Sequence, residues 1–201
     1  MHTNVTYWAM AAVGAVLITG SGEALAPDEG SASCVPGEVA AADTTQLPAP
    51  VEPTQQILVD HLSRRYYIAA EATRQMVGAA YRAAREVGLD PLLVLAVIAI
   101  ESRFNPIAES VMGAKGLMQI IPKYHRAKLD EFGGEQAVLD PESNILVGSR
   151  ILQEYVYRTG TLEGGLQFYN GAFWDGSAQY AQKVMAERGR LESVVRSRGN
   201  I

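Results

Sequence analysis

Glu101 follows nine successive apolar residues, Leu92 to Ile100. Apolar surroundings disfavour the ionised form of a carboxyl, raise its pKa and leave a proton on it at neutral pH. A carboxyl in that state can protonate a poor leaving group such as a glycosidic oxygen. Composition alone leaves a second reading open, in which Glu101 pairs with Arg103 or caps a neighbouring segment. Downstream, Gly113 and Gly116 allow a backbone to approach a ligand closely, and Gln119 carries both a donor and an acceptor. Taken alone, this glycine-rich stretch also reads as an ordinary connection between helices. No second acidic residue stands in a comparably apolar run, although Glu109 or Asp175 could fold into a cleft. Ordinary glycosidases use a pair of carboxyls.

The element that must position Glu101 is the helix ending on it. Asp90-Pro91 is a helix start, with an N-cap oxygen followed by proline at the first position. Asn105-Pro106 is a stop, because proline biases the residue before it away from helical angles. A helix apolar on every side belongs inside a protein, and nine residues are too few to cross a bilayer. Asp140-Pro141 repeats the same device and opens a helix with Ile145, Leu152, Tyr155 and Val156 on its buried stripe, closed at Thr159-Gly160. Asp140 therefore reads as a cap rather than a second catalytic carboxylate. Ahead of these, Ile57, Leu58, Leu62 and Tyr66 recur at helical spacing, as do Ala72, Met76, Ala79, Ala80 and Ala83 before Gly88. Residues 54–88 thus form two scaffold helices. Ser177 reads as the cap of a last helix with Tyr180, Val184 and Met185 inward, and the stretch from Arg188 to Ile201 as a polar, fraying tail.

The remaining chain bounds the setting. Trp8 to Thr19 is an apolar run of the length found in secretory signals, and Ala24-Leu25-Ala26 supplies a small-x-small cleavage pattern. Residues 1–26 are read as an export signal, with an uncleaved anchor or a mis-assigned start codon as the alternative, since the n-region holds His2 but no Lys or Arg. Residues 27–53, rich in Ala, Pro, Ser and Gly, cannot bury enough surface to offset ordering and read as a disordered linker. Cys34 is the only cysteine, so no intramolecular disulfide forms. His61 and His125 read as surface residues, and no second His or Cys stands at metal spacing, so neither metal nor cofactor is expected. A net charge of −5 gives no electrostatic footprint for nucleic acid.

The run Glu101-Ser102-Arg103-Phe104-Asn105-Pro106, with Ala108, Ser110, Gly113-Ala114-Lys115-Gly116-Leu117-Met118-Gln119 and Pro122, closely resembles the lytic transglycosylases with the soluble-lytic-transglycosylase, lysozyme-like domain. Asp140-Pro141 through Asn144, Ile145 and Gly148 resembles a scaffold helix opening of that family, Tyr169-Asn170 its A-Y-N motif, and Tyr180 with Lys183-Val184 its closing motif. Phe168 stands where the family has alanine, and Gly164-Gly165 where helix formers are common. The resemblance covers roughly Leu89 to Met185 and implies an all-α, lysozyme-like fold over residues 89–190. It implies Glu101 as the catalytic acid/base and Ser110 as a contact to the substrate's N-acetyl group. It also implies that Gly116, Leu117, Met118 and Gln119 line the sugar groove. Tyr169 would bond near the catalytic carboxyl, Asn170 would brace the cleft wall, and Tyr180 would face the active site. Phe173 and Trp174 are candidates for stacking on sugar rings or for a satellite core contact. The implied substrate is the glycan strand of peptidoglycan, and the implied setting is the periplasm or cell envelope, with a secretion or remodelling machine as a possible partner. A hydrolytic muramidase on the same fold and an idle wall-binding assembly factor are the competing readings, since fold alone does not fix function.

Overall fold

The computed structural model describes residues 52–199, so the export signal, Cys34 and nearly all of the linker lie outside the described residues. The described residues form seven α-helices and a short 3-10 turn, in the order α1 (Pro53–Tyr66), α2 (Ala70–Val87), α3 (Pro91–Glu101), α4 (Pro122–Asp130), the 3-10 turn (Glu135–Leu139), α5 (Pro141–Thr159), α6 (Leu162–Tyr169) and α7 (Gln179–Gly199). Among them there is no β-strand, only isolated bridges joining Glu109, Lys115 and Ile120. The fold is all-α, and no helix of the described residues is long and apolar enough to cross a membrane.

α3 is the central post. The Asp90 side chain accepts the Leu92 N–H at 2.9 Å, Pro91 occupies the first turn, and every residue from Leu93 to Ala99 is buried. Each fully buried Leu, Ile or Val contributes roughly 1.5–3 kcal/mol relative to exposure. That sum, rather than any local propensity, holds the end of α3 in place. α2 and α7 pack on α3, and α1 packs on both of them. Leu58, Val59 and Leu62 of α1 belong to the same hydrophobic cluster as α3, so the two N-terminal helices are walls of that core. Gly88 closes α2 with φ 70°, as the sequence predicts.

α5 lies between two clusters. Ile145 and Leu152 face the main core, whereas Val147 and Ile151 pack with Ile120, Leu129 and Val138 in a second one. Gly165 explains the departure of α6 from the family's helix formers. A Cβ there would lie 2.7 Å from Val156 Cα and 2.8 Å from its nitrogen, so only glycine lets α6 rest directly on α5.

Three expectations at the C-terminal end are corrected, the first being Met185, which is exposed while Tyr180 and Val184 of the same helix point inward. Ser177 does not cap the last helix; Asp175 Oδ1 accepts the Ser177 N–H at 2.9 Å in a turn, Ala178 has φ 50°, and α7 begins at Gln179. Nor is residue 191 the start of a polar tail. α7 continues to Gly199, with Leu191 fully buried and Val195 packed against the core. The charged residues between them mask an apolar spacing that is sparse but sufficient. His61 and His125 also differ from surface expectation, since both are half-buried and burial lowers the pKa of each, that of His125 to about 4.

Candidate active site

Glu101 is the last residue of α3, half-buried where its helix emerges from the core. The chain then turns sharply, with Arg103 (φ 55°) and Phe104 (φ 64°) both in the left-handed region that costs a non-glycine residue energy. Phe104 is anchored in the core and its ring meets Tyr66 at 5.1 Å, which fixes the turn below the carboxyl. Across from it, the first turn of α7 delivers Tyr180, whose ring is buried and whose hydroxyl donates to Glu101 Oε1 at 2.6 Å. Two effects oppose each other at this carboxyl. Burial penalises the charged form, while the Tyr180 hydrogen bond favours it; burial wins and raises Glu101 from its ordinary 4.5 to about 7. The hydrogen-bond partner of Glu101 Oε1 is Tyr180, and among the described residues Glu101 makes no ion pair with Arg103, the pairing that composition left open.

The glycine-rich segment is a built structure. Ser110 Oγ accepts the Ala114 N–H at 3.0 Å, and Ser110 N–H donates to Ala114 O, closing a tight loop with Gly113 at φ 79°. The hydroxyl proton of Ser110 remains available to a ligand. Gly116 sits at φ 78° against Asn144, where a Cβ would fall 2.3 Å from the Asn144 amide nitrogen. Asn144 is buried and holds the loop at three points: its carbonyl accepts the Met118 N–H at 2.8 Å, and its amide donates to Lys115 O at 3.1 Å and Val138 O at 2.7 Å. The family opening motif in α5 therefore serves the site by pinning this loop.

The expected lining is corrected at two residues. Leu117 and Met118 are fully buried and face the core rather than a groove. Met118 instead fills the space over Gly148, where a Cβ would lie 2.6 Å from its sulfur, and its carbonyl accepts the Tyr169 hydroxyl at 2.8 Å. Gln119 spends its amide group on Ala108 O and Gly116 O, both at 3.1 Å, which leaves its side-chain carbonyl as the group for a ligand. Burial first, and then the nearby Glu101 carboxyl, raise the pKa of Tyr169, whose hydrogen bond goes to the loop. Asn170 ends α6, half-exposed, and its backbone N–H donates to Leu166 O at 3.1 Å. The structure thus brings Glu101, Tyr180 and Tyr169 together, and ties Tyr169 to the 116–119 turn.

Two features escape sequence reasoning. The role of Asn144 as a three-point staple was hidden behind its place in a helix opening. The aromatic chain from Tyr155 to Phe168 (4.6 Å between centroids), Phe173 (5.4 Å) and Trp174 (3.8 Å) was also hidden. Phe168 is half-buried in that chain and Trp174 is exposed at its end, so the pair Phe173-Trp174 is a satellite contact on one side and a free aromatic face on the other.

Comparison with known proteins places this geometry. Relatives include the transglycosylase of Enterobacteria phage PRD1, 35% identical over 108 residues covering 51% of this chain and 39% of that protein. They also include a membrane-bound lytic murein transglycosylase C of Photorhabdus laumondii, 36% identical over 107 residues covering 49% of this chain and 28% of that protein. The chain spans less than half the length of the curated relatives it matches. An inactive mutant of the lytic transglycosylase Slt from Pseudomonas aeruginosa shares the fold, with a TM-score of 0.53 at 20% identity over 59% of this chain and 24% of that one. The family profile described as the transglycosylase SLT domain matches residues 79–187, beginning inside α2 rather than at residue 89. That match takes in Glu101, the pinned loop, Tyr169 and Tyr180 and covers more than half of the sequence, and the chain belongs to the SLT-domain transglycosylase family.

Proposed function

We propose that this protein is a peptidoglycan lytic transglycosylase that cleaves the β-1,4 bond between N-acetylmuramic acid and N-acetylglucosamine and leaves 1,6-anhydromuramic ends. The supporting observation is the Glu101 carboxyl, half-buried at the end of a buried helix and raised to about 7 by burial. Near neutrality such a group exists in both protonation states, which is what one residue needs in order to act first as acid and then as base. Glu101 donates its proton to the leaving glycosidic oxygen as the C1–O bond breaks, and the substrate's acetamido oxygen stabilises the oxocarbenium-like centre. The resulting carboxylate takes the proton from the muramyl C6 hydroxyl, whose oxygen bonds to C1 and closes the anhydro ring. No water is consumed. Tyr180 holds the carboxyl in line and steadies its charged state between the two steps. Among the described residues, Glu109 and Asp175 are exposed or turned to other partners: Glu109 faces Lys115 at 3.8 Å, and Asp175 holds the Ser177 turn. Neither supplies the second carboxylate of an ordinary glycosidase.

Ser110 and the Gln119 carbonyl are assigned to the sugar amides, with Asn170 on the cleft wall. Export by residues 1–26 would place the domain in the cell envelope, where a secretion or remodelling machine would be its setting. The test is digestion of purified sacculi. The parent protein is expected to release muropeptides one water lighter than hydrolysed ones, and E101Q to release none while keeping the parent's helical spectrum. Hydrated ends would instead support the muramidase reading, and binding without release the assembly-factor reading.

A further inference from the structure

α6 reaches the candidate active site by two routes. One is the hydrogen bond from Tyr169 to the glycine-rich loop, and the other runs through Gln167 on the same helix. The Gln167 side chain is buried, with 5% of the residue exposed. Its Nε2 donates to Ala172 O at 3.2 Å and to Asp175 O at 3.4 Å, and its Oε1 accepts the Ala181 N–H at 3.0 Å. Its backbone carbonyl accepts the Ala172 N–H at 2.9 Å. A buried amide costs stability unless its donors and acceptor find partners, and here all of them do. Together they tie α6 to the 171–178 loop and to the first turn of α7.

The first turn of a helix has N–H groups with no partner inside the helix. α7 takes a partner for one of them, that of Ala181, from the Gln167 side chain on α6. Tyr180 lies in the same turn, and its hydroxyl donates to Glu101 Oε1 at 2.6 Å. Farther along α7, Glu187 pairs with Arg65 of α1 and Arg188 with Asp90 of α3. Between Gln179 and Ala186, the hydrogen bonds from α7 to another helix among the described residues are Tyr180 to Glu101 and Ala181 to Gln167. The backbone entering this turn is strained, since Ala178 is held at φ 50°. Gln167 thus anchors the turn from which the tyrosine reaches the carboxyl.

We propose that Gln167 is a positioning residue for the Glu101 chemistry: it holds the start of α7 so that the Tyr180 hydroxyl meets the carboxyl. The inference rests on the proposed acid/base role of Glu101, and it adds a residue that acts on the carboxyl through Tyr180.

The experiment is a double-mutant cycle between Q167M and Y180F in the full chain. Methionine keeps the length of the side chain and forfeits all three of its hydrogen bonds. Q167M is expected to lower kcat on sacculi about tenfold, short of the hundredfold that a misplacement of about 1 Å can cost, with KM within about twofold of the parent's. In the Y180F background the same change should cost less than about twofold, because the contact that it loosens is already gone. A tenfold loss in both backgrounds would overturn the proposal, and so would an unchanged kcat in Q167M. A second arm needs no turnover: carbon NMR of the Glu101 carboxyl. Its titration midpoint should rise in Q167M, as in Y180F, since the tyrosine bond favours the ionised form, and should move no further in the double variant. A midpoint that stays in place in Q167M, or shifts that add in full, would also overturn the proposal. Q167E keeps the length and an acceptor for the Ala181 N–H, and serves if Q167M loses the parent's helical spectrum. Its kcat should stay within about threefold of the parent's. A folded Q167E slower than Y180F would show that the residue acts elsewhere. If the parent releases nothing from sacculi, the lytic reading fails and the NMR arm alone decides this one.

Discussion

At the scale of single residues, the Glu101–Tyr180 pair carries the chemistry, and its pH behaviour is testable. The Tyr180 hydroxyl donates to the carboxyl and so favours the ionised form, opposing the larger effect of burial. Removing it with Y180F leaves burial unopposed, so the carboxyl pKa rises. If Glu101 must begin the cycle protonated, the alkaline limb of kcat/KM moves to higher pH in Y180F while the maximum rate falls, because the carboxyl loses its orienting partner. A pH–rate profile of both proteins measures this. A limb that stays in place or moves toward acid would separate Tyr180 from the proton that does the work.

At the scale of elements, the site depends on how α5 fixes a loop. Asn144 satisfies the Met118 N–H and the carbonyls of Lys115 and Val138 at once. N144A leaves those buried groups unpaired, and we expect a loss of about 2–4 kcal/mol in urea unfolding, with turnover falling even in the molecules that fold. Much of this level was legible beforehand. The Asp-Pro starts of α3 and α5 follow from proline's fixed φ and the aspartate cap, and both caps are observed, Asp90 on Leu92 N–H and Asp140 on Ser143 N–H. Glu101 was legible because nine apolar residues give a carboxyl dry surroundings that oppose its ionisation. Leu117 and Met118 were misplaced because proximity in sequence to a motif says nothing of which way a buried side chain points. The Asn144 staple was not legible at all, since its partners lie 26 and 29 residues away for Met118 and Lys115.

At the scale of the whole molecule, the helices outside the family match are part of the core. Leu191 lies beyond residue 187, is fully buried, and belongs to the cluster that holds α3. The expected polar tail failed here because a helix with few apolar residues still docks when those few share one face. L191A should cost about 2–4 kcal/mol by thermal or urea unfolding, as for other buried leucines, whereas a fraying tail would lose nothing. Arg188 reinforces the same docking by pairing with Asp90 at the start of α3. The N-terminal helix, the last helix and the catalytic post thus stand or fall together, which keeps one carboxyl at the edge of water without surrendering it. The most direct measurement of that state is a titration of the Glu101 side-chain carboxyl by carbon NMR, with E101Q identifying its resonance. A midpoint near the value of about 7 that burial sets is the expected result. A midpoint near the 4.5 of a free glutamate would mean that the group is ionised at neutral pH and has no proton to give.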